Sequence, residues 1–225
     1  MCTQERVQKI KETEVIKMKM ILDTETAGTF NSPICYDISG IIIDDDGEEL
    51  EHFAIIINET FFTSIMDTAA FKDKKPLYME NISNRVYSVM TYRQAKTYIN
   101  SLLSDYNVNQ VLAYNARFDR TALEKTAEHF EGVASFFESS AIEWIDILKM
   151  ARHTLKADEY NDWCLKFGFL TKHEKPRSQF TAEVVYRFIT KNPDFMEKHM
   201  GIYDSQIEKK IYLYCMNEII HSFSL

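Results

Sequence analysis

Apolar residues along this chain follow two periods. Runs at 18–23, 34–43 and 50–57 are short and continuous or alternating, as strands require, and "DDDGEE" at 44–49 separates the second from the third with turn composition. These runs predict a three-stranded antiparallel meander. Farther on, the pattern predicts a helix over 91–105, a strand at 110–114, a helix over 116–130, a short strand near 142–146 and mostly helix thereafter. In the last helical stretch Ile207, Ile211, Tyr214, Cys215 and Ile219 fall on one face. The expected fold class is α/β: a mixed five-stranded sheet, the meander plus two parallel strands, flanked by helices.

Chemistry enters where the apolar runs stop. "MKMILDTE" ends in Asp23 and Glu25, and because alternate side chains of a strand share a face, both carboxylates point the same way. Two anions held this close at the end of a buried strand repel each other and lose hydration, unless a proton or a cation neutralises them. Oxygen-only ligands favour Mg2+ or Mn2+ over zinc, and such a cluster can hold two ions about 4 Å apart around one phosphate. Solvated acids at a strand end are the plainer alternative. A second group follows in "VLAYNARFD", where Asn115 sits at a strand-to-helix junction and Phe118 and Asp119 lie in the helix's first turn. Asp119 has a structural explanation too, as a partner of the helix dipole. The third group is "HMGIYD", with His199 and Asp204 at the start of the last helix. His153 and Asp158 have the same spacing, but His153 directly follows "ILKMAR" with too little chain to return to the site edge.

"DTETAG", "YNARFD" and H-x4-D, in this order, resemble the three motifs of the DnaQ-like (DEDDh) 3'-5' exonuclease superfamily, whose fold is ribonuclease-H-like. "IDILKMAR" at 145–152 is similar to a segment between that family's second and third motifs, and the likeness runs from about Met18 to about Ile220. The resemblance implies roles. Asp23, Glu25 and Asp204 would hold a first ion, Asp23 and Asp119 a second, and His199 would be the general base on the attacking water. Backbone groups around Thr26 and Ala27 would meet the terminal nucleotide, with Asn115 and Phe118 beside it. Two Mg2+ (or Mn2+) ions per site, single-stranded 3' ends with DNA preferred to RNA, and a polymerase or replication partner are further implications. An exoribonuclease of the same superfamily and a non-enzymatic module that keeps the fold are the alternatives. Ala27 and Tyr114 depart from the threonine and histidine common in the family, and an insertion at 171–198 replaces its usual short segment.

Composition fits a globular domain over 18–225, preceded by a polar extension at 1–17, with 45% hydrophobic residues. The four cysteines, Cys2, Cys35, Cys164 and Cys215, form no C-x-x-C pair, and the expectation is reduced thiols in a cytoplasmic protein. Apolar runs are too short to span a membrane. The net charge of -8 is unusual for a nucleic-acid enzyme, yet four of those charges belong to the proposed site, where bound cations would reverse their effect. Lys72, Lys74 and Lys75, with Phe71 and Tyr78, suggest a solvated connector over the sheet or, as the alternative, a surface that stacks bases and touches phosphates. Lys172, Lys175 and Arg177 read as an exposed loop, and Trp144 and Trp163 as core.

Overall fold

The apolar run that ends in the two acids forms a central strand. A computed structural model describes residues 18–29 and 31–223; the polar stretch 1–17 lies outside the described residues. Strands β1 (Lys19–Thr29), β2 (Ser32–Ile43) and β3 (Glu49–Ile57) make the antiparallel meander, and β4 (Ser88–Met90), β5 (Gln110–Ala113) and β6 (Glu143–Asp146) are parallel additions. The order across the sheet is β4-β3-β2-β1-β5-β6. The sheet therefore has six strands, not five. The extra strand is β4, which escapes detection because it is three residues long, lies at the sheet edge and exposes Ser88 and Val89. Its pairing with β3 rests on backbone hydrogen bonds, which leave no apolar periodicity in the sequence.

Strand alternation divides the core. Met20 and Leu22 face α3 (Tyr92–Asp105) and α4 (Ala116–Glu131), while Ile21, Asp23 and Glu25 face the opposite layer. That second layer is built from α5 (Ile147–Thr154), α6 (Ala157–Phe167), α7 (Ala182–Thr190) and the long α8 (Gly201–Phe223). Two short helices, α1 (Asn58–Phe61) and α2 (Lys75–Ser83), follow the meander. The segment 171–198 contains α7, which joins α8 and seals the second layer. Trp144 and Trp163 are partly buried and pack against the two halves of the core. Among the described residues, no helix is long and apolar enough to cross a membrane.

One buried acid fixes where α8 begins. Asp37, opposite Glu25 in the β1–β2 ladder, is fully buried and accepts hydrogen bonds from Ser39 Oγ (2.6 Å), Tyr78 Oη (2.9 Å), Tyr87 Oη (2.9 Å) and the Gly201 N–H (2.9 Å). Gly201 must be glycine for this approach, because a Cβ would sit 2.9 Å from both Asp37 Oδ1 and Ser39 Oγ. Asp37→Ala would leave four donors without an acceptor, and each buried orphan costs about 1–3 kcal/mol before relaxation. The expected loss of stability is about 3 kcal/mol or more, read as a lower denaturant midpoint with an unchanged slope. A midpoint within experimental error of wild type would show that the start of α8 is held by other contacts.

Candidate active site

Strand β1 delivers two carboxylates and, between them, a threonine that locks a third. The Thr24 N–H and hydroxyl both donate to Asp119 Oδ1, at 3.1 and 2.9 Å. Asp119 reaches this position from the first turn of α4, where it is 3% exposed. The turn into α4 depends on Asn115, which adopts a left-handed conformation (φ 67°) that asparagine tolerates better than most residues. Its N–H donates to Asp146 Oδ1 at 3.2 Å, and the same oxygen caps α5 through the Leu148 N–H. The Asn115 side chain is exposed, Phe118 and Thr26 are half-buried, and the Ala27 side chain is buried in the core.

Helix α8 brings the other acids. Oxygens of Asp23, Glu25 and Asp204 all lie within 4.8 Å of one another, and so do ligand atoms of Glu197, His199 and Asp204. His199, also in a left-handed conformation (φ 49°), stacks on Phe71 with ring centroids 4.5 Å apart and planes 10° from parallel. Its Nδ1 is 3.5 Å from Glu197 Oε2. Burial, and then the Lys74 charge, hold the imidazole below its ordinary pKa. His153, by contrast, is exposed at the end of α5, and Asp158 is exposed in the first turn of α6.

Two acids in this region were not singled out from the sequence. Glu208 is 3% exposed and lies one turn beyond Asp204 on α8. Spacing of i, i+4 on a helix was the available signal, since Asp204 and Glu208 then share a face. Glu197 has no comparable signal, because it sits in irregular chain before α8. Lys74, placed by sequence in a solvated connector, sends its ammonium to the Lys198 carbonyl, and its charge acts on Glu25, Glu197 and Asp204. Tyr78 from the same stretch is fully buried and bound to Asp37, so it offers no surface for bases. "KHEKPR" is exposed, as expected.

Electrostatics describe a cage of crowded, dehydrated anions. Burial, followed by repulsion from Asp37 and Asp204, pushes Glu25 up to about 9. Burial and then Glu197 take Asp204 to about 8. Burial takes Asp119 to about 7 against the opposing hydrogen bonds from Thr24. Asp23 and Glu208 are raised well above the ordinary carboxylate range, first by burial and then by neighbouring acids. Asp23 Oδ2, Asp204 Oδ1 and Glu208 Oε2 are buried with no hydrogen-bond partner. Unpartnered oxygens on converging carboxylates fit hard divalent cations, which need several oxygen ligands and offset the repulsion.

The sheet order, with helices on both faces, Asp23 and Glu25 in the middle of β1 and Asp119 in the first turn of the helix that follows β5, fits a ribonuclease-H-like fold. Solved structures with this fold include exonuclease I. E. coli exonuclease I in complex with an oligonucleotide superposes with a TM-score of 0.54 at 13% identity, over 92% of this chain and 43% of that one. A moderately thermophilic exonuclease I from Methylocaldum szegediense gives 0.54 at 15% identity, over 87% of this chain and 39% of that one. The zinc-bound form of the E. coli exonuclease I–single-stranded DNA complex gives 0.51 at 15% identity, over 92% and 43%. The chain thus spans about two fifths of the length of the solved proteins it matches. No family model matches the sequence, and no curated protein matches it.

Proposed function

We propose that this chain is a divalent-metal-dependent 3'-5' exonuclease that releases nucleoside 5'-monophosphates from single-stranded DNA ends. The observation that carries this reading is the convergence of Asp23, Glu25 and Asp204, two of which, Asp23 and Asp204, keep a buried oxygen (Oδ2 and Oδ1) without a partner. The fold shared with exonuclease I supports it, and the oligonucleotide and single-stranded DNA in those complexes support the choice of substrate.

Asp23, Glu25 and Asp204 would hold one cation, and Asp23 with Asp119 a second, Thr24 fixing the Asp119 rotamer. When bound, the pair would activate the attacking water and stabilise charge on the leaving 3' oxygen. His199 would be the base that takes the proton of the attacking water. With Nδ1 turned toward Glu197, Nε2 is the nitrogen left to accept it. Backbone groups at Thr26 and Ala27, with Asn115 and Phe118, would position the terminal nucleotide. Lys74, whose ammonium lies 4.8 Å from the Phe71 ring on which His199 stacks, would meet a phosphate on that side.

A single strand labelled at its 5' end should shorten stepwise in Mg2+, while a 3' label leaves in the first step as a mononucleotide. A chelator should stop both. Absence of hydrolysis in Mg2+ and in Mn2+ would refute the proposal, and the same assay on RNA tests the sugar. His199→Ala should lower the rate by about 10²–10⁴-fold. The base works when neutral, and its pKa is depressed. With Mg2+ saturating at every pH, wild-type rates should therefore be level above about pH 6.5 and fall on the acid side, and the variant should lose that acid limb. If His153→Ala loses it instead, the third motif is misplaced.

A further inference from the structure

A second set of ligand atoms converges on Asp204 from the chain just before α8, and it differs in kind from the first. Glu197, His199 and Asp204 each bring one such atom within 4.8 Å of the others, and the set contains a nitrogen where that of Asp23, Glu25 and Asp204 has oxygens alone. His199 Nδ1 and Glu197 Oε2 are 3.5 Å apart. An N–H···O hydrogen bond is usually shorter, at about 2.7–3.2 Å. Two ligands of one tetrahedral ion, with bonds of about 2.0–2.2 Å, stand about 3.3–3.6 Å apart, which this pair matches. The third member, Asp204, is 5% exposed, and its Oδ1 is buried with no hydrogen-bond partner. Contacts outside the group hold it in place. The Glu197 N–H donates to Glu183 Oε1 at 3.0 Å, Phe71 stacks on the imidazole, and the Lys74 ammonium meets the carbonyl of Lys198, the residue between two of the ligands. Arg187 is paired with Glu183 at 2.9 Å, so the opposing charge is that of Lys74, set against two carboxylates. The imidazole is 38% exposed, which gives an ion a way in from solvent.

We propose that Glu197, His199 and Asp204 form a binding site for a borderline transition-metal ion, Zn2+, which adjoins the all-oxygen position and is inhibitory when filled. One imidazole nitrogen with two carboxylates is a three-ligand zinc set that leaves the fourth position to water, and Zn2+ is favoured over Mg2+ at nitrogen ligands. Inhibition follows from the ring. Whichever nitrogen coordinates the metal, the other carries the proton of the neutral imidazole, so a loaded His199 has no lone pair left for the attacking water. Asp204 belongs to both sets, so Zn2+ also draws on a carboxylate that the all-oxygen position needs. The site itself stands apart from the nuclease reading, on which only the inhibition rests.

The test is Zn2+ binding to the full chain in excess Mg2+ without nucleic acid, by competition with a coloured chelator, with Co2+ as a spectroscopic substitute. Wild type should bind one Zn2+ tightly, and Co2+ should give the visible absorption of a nitrogen-ligated site of low coordination number. Glu197→Gln and His199→Ala should each weaken Zn2+ by about tenfold or more, and His199→Ala should lose the Co2+ band, while Mg2+ affinity stays within about twofold in both. In the hydrolysis assay Zn2+ should stop the Mg2+-activated wild type, and Glu197→Gln, judged against its own uninhibited rate, should need about tenfold more Zn2+. Wild-type Zn2+ affinity in folded Glu197→Gln or His199→Ala overturns the site and leaves the nuclease reading standing. Zn2+ affinity that both variants lose, in a wild type that hydrolyses no strand, supports the site and overturns the nuclease reading. Zn2+ bound through Glu197 without slowing hydrolysis overturns the inhibitory role. Failure of both variants to fold in chelator overturns the proposal in favour of a purely structural cluster.

Discussion

Asp23→Asn and Asp204→Asn should each reduce nucleotide release by about a thousandfold or more, and neither should lower the melting temperature measured in chelator. The rate follows from what the cage is for. Stabilisation of transition-state charge by a bound cation is worth several kcal/mol, and about 4 kcal/mol corresponds to a thousandfold. Asp23 is central on two counts: its oxygens lie with those of Glu25 and Asp204, and Asp119 and Glu208 act on it as neighbouring charges. Stability should respond in the opposite sense. Asp23 Oδ2 and Asp204 Oδ1 are buried without partners, so a neutral isostere removes a repulsive, poorly hydrated charge and breaks no hydrogen bond made by those atoms. Active-site carboxylates then cost stability in the metal-free fold, the trade-off expected where function needs strained electrostatics. Asp158→Asn is the matched control. It alters the exposed aspartate of the second H-x4-D pair and should leave the rate within about twofold, as surface substitutions generally leave the structure undisturbed. A folded Asp23→Asn that hydrolyses at the wild-type rate would remove the site from this part of the molecule.

Several parts of this arrangement could be read in the chain because one rule of local geometry decided them. Strand alternation places Asp23 and Glu25 on one face, and helical periodicity makes α8 a helix whose buried stripe includes Ile207, Ile211 and Cys215. What escaped detection depends on partners distant in sequence. In "SQIEKK", Glu208 stands beside Lys209 and Lys210 and looks like part of a solvated charge run; only the packing of α8 against β1 and β2 turns it inward. Asp37, in the middle of an apolar strand, gave no indication that Tyr78, Tyr87 and Gly201 would satisfy it, because they lie 41, 50 and 164 residues away. Tyr78 itself follows "KDKKPL", a polar context that hides a fully buried ring. Strand β4 was missed for the reason that an edge strand of three residues needs no apolar signature.

Metal-free protein should lose stability as pH rises from about 5 to about 9, and saturating Mn2+ should abolish that slope. In the unfolded chain these carboxyls titrate near 4, whereas in the fold Asp119 is pushed to about 7, Asp204 to about 8 and Glu25 to about 9. Between those limits the native state binds more protons than the unfolded state. Stability contributed by the protonated carboxyls is therefore complete below pH 4 and is withdrawn as pH climbs through each folded pKa. A cation reverses the preference, because it binds the ionised cage and must displace protons to do so. Its effect should accordingly be larger at pH 8 than at pH 5. At a concentration one hundred times the dissociation constant, binding adds about 2.7 kcal/mol, or about 5–10 °C in melting temperature for a chain of this size. The net charge of -8 also disfavours the compact state as pH rises, so the decisive comparison is between variants: Asp23→Asn and Glu208→Gln should each flatten the metal-free slope. Metal-free stability that instead increases from pH 5 to pH 8 in wild type would mean that the carboxylates are already neutralised by cationic side chains such as Lys74, leaving no electrostatic demand for a metal.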